Sequence, residues 1–138
     1  MKAPFFQSSG FSLIELLIVL VIIGILVRIS YPVYTQHVQK THRSQAQVAL
    51  LDLASAMERY YAVHHSYRNA TLTVLEINEY IDTSYYQLVI TQATDNTYLL
   101  QAVPLNSQIQ DNACGTLSLD QQGRKSISGS GEIHACWN

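Results

Sequence analysis
The chain is 138 residues long, with charged residues at 13%, hydrophobic residues at 48%, a formal net charge of -2 and a mean hydropathy of +0.07. That length suits one small core, so no second domain is expected, and the slightly acidic balance excludes a general electrostatic attraction to nucleic acid or anionic membranes. The apolar content is concentrated near the N-terminus, and beyond residue 34 the chain is rich in Gln, Ser, Thr and Tyr.

Phe11 to Tyr34 is the most informative stretch. From Leu16 to Val27 every residue but Gly24 is apolar, and with the flanking residues the run reaches the roughly 20 positions that a helix needs to cross a bilayer. A conventional secretory signal is excluded, because the run is too long and Arg28 to Pro32 offers no small-x-small cleavage site. Lys2 precedes the run while Arg28, Lys40 and Arg43 follow it, so charge does not set the orientation by the positive-inside rule. Glu15 lies inside the apolar run, where an ionised carboxylate costs roughly 2.5–3.5 kcal/mol. Either it has a partner or a function, or it lies close enough to the membrane edge to snorkel or take up a proton.

The leader MKAPFFQSSG followed by FSLIELLIVLVIIGIL resembles the class III signal of type IV prepilins. The resemblance implies cleavage after Gly10 by a prepilin peptidase, N-methylation of Phe11 as the new terminus, and a filament role for Glu15. It also implies partners: other major and minor pilins, an inner-membrane assembly platform, and the inner membrane itself before assembly. Physics agrees, since the amine that cleavage creates on Phe11 of a neighbour would supply the charge that Glu15 lacks, and such a pair in a low-dielectric bundle fixes axial register. The chain then divides into a leader at 1–10, a membrane and polymerisation half-helix at 11–34, and a periplasmic or extracellular globular domain at 35–138.

Pro32 falls where pilins of this type have a kink or melted segment, and the helix is expected to continue past it. Arg28 is expected at the membrane interface with its stem in lipid. From Val38 to about His64, Ala46, Ala49, Leu50, Leu53, Met57, Tyr60, Tyr61 and His64 recur at helical spacing, while Gln45, Asp52, Ser55 and Arg59 take the other face. A linker follows, with one short turn near Leu75 to Tyr80. Strands are expected at Tyr85–Thr91, Thr97–Pro104 and Gly115–Asp120, the first two paired as a hairpin. The tract DQQGRK reads as a turn with Gly123 at positive φ, leading to a last strand near Lys125–Ile127. A long helix followed by an antiparallel meander gives an α+β class, with the sheet covering one face of the helix.

Cys114 and Cys136 are the only cysteines. In an exported chain an even pair reads as a disulfide, against the alternative of two free thiols. The pair fits the C-terminal disulfide loop of type IV pilins, and the ending, with CGTLSLDQQGRKS and ACWN, is similar to minor pilins of the PilE type. The type IV pilin fold is therefore the expected architecture.

Other constellations carry less. His64 and His65 are adjacent and so diverge by about 100° on a helix, which is no metal site; His37, His42 and His134 read as solvated. No GxSxG, phosphate-cradling glycine loop or HExxH occurs, so no enzyme, cofactor or metal is expected. Asn69, Ala70 and Thr71 form a sequon by pattern alone. Tyr60, Tyr61, Tyr67, Tyr80, Tyr85, Tyr86 and Tyr98 could stack on bases, but their spacing suits core and sheet packing. Arg124 and Lys125 are the only adjacent basic pair, and with Arg68 they are the candidate contact for DNA. The resemblance implies a structural minor pilin that contributes to pilus assembly, and through it to twitching, adhesion and DNA uptake. A DNA-receptor pilin for competence, a major pilin and a type II secretion pseudopilin are the alternatives.

Overall fold
The computed structural model describes residues 11–81 and 85–137. They fall into two compact units, the first ending at Gln36 and the second beginning at His37.

Helix α1, Leu13–His64, starts where the Ser12 carbonyl accepts the amides of Glu15 and Leu16 at 3.0 and 3.2 Å. Leucine, isoleucine and valine at nearly every position give this first part no polar face, and every residue from 11 to 34 is exposed. Among the described residues α1 is the one helix long and apolar enough to cross a membrane. It is helical through Pro32, whose carbonyl accepts Thr35 Oγ1 at 3.0 Å. The helix stops at His64 because His65 turns left-handed, with φ 54° and its amide on the Tyr61 carbonyl at 2.8 Å.

The second unit is built on a five-stranded antiparallel meander of β1 (Tyr80–Ile81), β2 (Tyr86–Ala93), β3 (Tyr98–Pro104), β4 (Leu117–Asp120) and β5 (Lys125–Ile127), in that order. Period-two alternation puts Tyr86 and Leu88, then Tyr98, Leu100 and Ala102, then Leu117 and Leu119 inside, where register aligns Leu88 with Ala102 and Leu100 with Leu119. Ala46, Leu50, Leu53 and Met57, one stripe of α1, complete this core. Each large side chain so buried contributes about 1.5–3 kcal/mol.

The expected hairpin, the later strands and the positive φ of Gly123, at 73°, are all present. Several boundaries differ. Residues 72–76 form the turn of the linker, and Tyr80–Ile81 is an edge strand instead of the end of that turn, held by pairing with β2 and not by any local pattern. β2 runs on to Ala93, because Thr94 and Thr97 close so tight a turn, the Thr94 amide meeting the Thr97 carbonyl at 2.8 Å. β4 begins at Leu117, because Gly115 sits at φ 60° and its missing side chain leaves room for Ser128 and Gly129. A 3-10 helix at Asn106–Gln110 and a one-turn helix α2 at Ile133–Cys136 carry no signal in the sequence.

Candidate functional site
Three places carry the chemistry. The first is the start of α1. Gly10 lies outside the described residues. Phe11 is exposed, and Glu15 sits exposed in the first helical turn, where its carboxylate complements the positive end of the helix dipole. A helix surface this apolar and exposed is stable only in lipid or against other helices.

The second is the C-terminal loop. Cys114 and Cys136 are disulfide-bonded, with Cα atoms 5.5 Å apart and both residues buried. Two polar residues of α1 hold this loop to the core. Gln47 donates from Nε2 to the Cys136 carbonyl, while Arg43 donates to Asp111 Oδ2 at 3.1 Å and to the Ala135 carbonyl at 3.1 Å. Asp111 also accepts Gln108 Nε2, which reaches Tyr86 Oη and the Gln39 carbonyl as well. Burial, its leading cause, raises the Tyr86 phenol pKa above its ordinary value. Trp137 donates to the Ser126 carbonyl at 3.1 Å, and Lys125 lies 5.2 Å from its ring.

The third is the sheet end that carries both hairpin turns. Ala93 pairs with Tyr98, Leu99 with Asp120 and Leu119 with Lys125, so the β2–β3 and β4–β5 turns share one end. The linker joins them there, because the Tyr67 amide donates to the Thr94 carbonyl at 3.1 Å. Arg68 thereby meets Asp95, Nε to Oδ1 at 2.8 Å, and Arg124 meets Asp120, Nε to Oδ2 at 2.6 Å. Asp120 Oδ1 further accepts the amides of Gln122 and Arg124 at 2.9 and 3.0 Å. Burial acts to raise the Asp120 carboxyl pKa, but these donors outweigh it and hold the group below its usual value. Just below, the hydroxyls of Tyr67 and Tyr98 both donate to Glu58 Oε1, at 3.0 and 3.1 Å. Burial, then the Glu58 hydrogen bond and charge, pushes the Tyr67 phenol up to about 12; burial and Glu58 raise Tyr98 too.

Among the residues singled out from sequence, the fold brings Cys114 to Cys136 and sets Arg68, Arg124 and Lys125 on elements of one sheet end. Tyr67, Tyr86 and Tyr98 are buried, and Tyr61 stacks on Tyr67 at 4.6 Å, which is the packing reading. His42 is not simply solvated: it stacks on Tyr85 with centroids 3.6 Å apart and meets Gln45 at 3.3 Å. The roles of Arg43, Gln47, Gln108 and Asp111 were not anticipated. Arg43, Gln47 and Leu50 fall on one helical stripe, and polar residues inside an apolar stripe were the available signal.

The family described as type IV minor pilin ComP, DNA uptake sequence receptor, matches residues 32–118, and the prokaryotic N-terminal methylation motif matches residues 6–27. No curated protein matches the chain. Among solved structures, a type IV pilin from Shewanella oneidensis is 30% identical with a TM-score of 0.54, over 72% of this chain and 98% of that one. The Neisseria meningitidis non-core minor pilin PilV is 21% identical with a TM-score of 0.57, over 70% of this chain and 92% of that one, and shows the shared fold. With the methylation motif at its start and the pilin fold in its second unit, the chain belongs to the ComP family of type IV minor pilins and is a minor pilin subunit.

Proposed function
We propose that this minor pilin is a DNA receptor of a type IV pilus. The observation that carries the reading is the family match across residues 32–118, since that family is described as a DNA uptake sequence receptor. The shared sheet end that bears Arg68, Arg124 and Lys125 supports it with a place for DNA to bind. In this reading a prepilin peptidase cuts after Gly10 and Phe11 is methylated. The subunit waits as a single-pass protein of the inner membrane. An assembly platform then moves it into an extracellular filament, where Glu15 pairs with the Phe11 amine of a neighbouring pilin and Pro32 bends the helix. It acts as a structural and binding subunit and catalyses nothing; DNA uptake, and through the filament twitching and adhesion, depend on it.

Acidic residues outnumber basic ones in the second unit, so affinity for DNA is expected to be modest and to fall with salt as the few phosphate contacts are screened. The test is titration of the full chain in detergent with duplex DNA at several salt concentrations. Binding that weakens with salt and with Arg124→Ala supports the receptor reading. No binding at low salt would leave an assembly subunit without DNA contact. Intact mass of the protein from sheared filaments checks the processing steps: loss of residues 1–10 and gain of one methyl group are expected.

A further inference from the structure
Three arginines of the second unit pair with carboxylates in two different ways. Arg43 spends its fork inside the protein, with Nε and Nη2 on Asp111 and Nη1 on the Ala135 carbonyl, and its side chain is 13% exposed. Arg124 and Arg68 are held by a carboxylate at Nε, with side chains 71% and 65% exposed. Among the described residues nothing hydrogen-bonds their terminal amino groups. Asp120 is itself fixed by the amides of Gln122 and Arg124 and is 15% exposed, so it is a rigid clamp on a solvent-facing fork. Asp95 is oriented by Ser66 Oγ at 3.0 Å.

A carboxylate beside an arginine changes what that arginine binds well. A phosphate brought to Arg124 also approaches the Asp120 charge, so much of its attraction is cancelled. The N7 and O6 atoms of guanine are neutral acceptors set at the spacing of a guanidinium fork, and they lose little. Clamping at Nε also removes the rotamer freedom that would otherwise be lost on binding. Resting on the DNA-receptor reading, we propose that Asp120 and Asp95 are positioning residues that aim the terminal amino groups of Arg124 and Arg68 at the N7/O6 edge of guanine. This sheet end then selects guanine-bearing duplex instead of attracting DNA at large.

The test uses the full chain in detergent and two duplex pools amplified from the same fragments, one with guanine and one with 7-deazaguanine, which lacks N7 but keeps charge and pairing. The wild type is expected to prefer the guanine pool by roughly three- to ten-fold. Asp120→Asn should bring that preference close to one while affinity for the 7-deazaguanine pool holds or rises. Arg124→Lys keeps the positive charge without the fork and should also lose the preference; unchanged thermal melting shows that both variants are folded. A wild type that binds both pools equally overturns the inference and leaves the receptor reading standing. Asp120→Asn that tightens both pools alike, with the preference kept, shows a neutralising carboxylate and overturns it too. A wild type that binds neither pool at low salt sinks the receptor reading, and the inference with it.

Discussion

Gln47 donates from Nε2 to the main-chain carbonyl of Cys136 at 2.7 Å, so the disulfide-bonded end of the chain is fastened to the middle of α1. Both groups are buried, and a lost donor leaves a carbonyl that water cannot reach. Gln47→Leu should therefore cost about 1–3 kcal/mol. Thermal unfolding of the full chain is expected to show a melting temperature lower by several degrees, with the disulfide still formed.

Removing the disulfide acts on the unfolded chain. The bridge closes a separation of 22 residues, and Cys114→Ser with Cys136→Ser should cost about 3 kcal/mol. Trp137 is the single tryptophan and is buried beside Cys136, so its emission reports the same event. A red shift in the double variant, at temperatures where the wild type is unchanged, is expected.

Alkaline pH should weaken the fold through the tyrosine pair on Glu58. Tyr67 titrates near 10.0 when unfolded and at about 12 when folded, and Tyr98 is raised in the same sense. Between those values the unfolded chain has lost the proton that the folded chain keeps, so stability is full below about 10 and declines as pH rises through 12. Denaturant unfolding between pH 8 and 11.5 should show this decline, and Tyr67→Phe with Tyr98→Phe should flatten it.

Glu15→Val should leave the second unit folded and the protein in membranes, yet keep it out of filaments. The substitution removes a carboxylate that favours the first helical turn by only a few tenths of a kcal/mol, so instability is not the expected cause. Quantifying the variant in sheared filaments and in membrane fractions checks it; normal incorporation would remove Glu15 from the assembly mechanism.

Much of this architecture was legible in the sequence because its signals are periodic. Leu50, Leu53 and Met57 recur at helical spacing, Tyr98, Leu100 and Ala102 alternate, and Gly123 marks its turn, so helix, strands and turn follow from local pattern. Where contact across the chain decides, local pattern is silent. Tyr80–Ile81 is a strand only because β2 lies beside it, and α2 is four residues whose end is fixed by the disulfide. The same holds for the candidate interface: Arg124 stood out as part of a basic pair, but its match with Arg68 depends on the register of four strands. Arg43 looked like one more basic residue after the span, and the structure makes it internal.

The turn that carries Arg124 lies wholly inside the ring closed by Cys114 and Cys136. Because the ends of that segment are joined by a covalent bond and tied to α1 by Gln47, the turn needs from its own residues only the positive φ of Gly123 and the Asp120 carboxylate that accepts its amides. Doubling the length of a flexible loop costs only about 0.6 kcal/mol. Around those two fixed positions, the exposed side chains of the β4–β5 turn can change, and with them what the turn recognises, while the scaffold beneath stays the same.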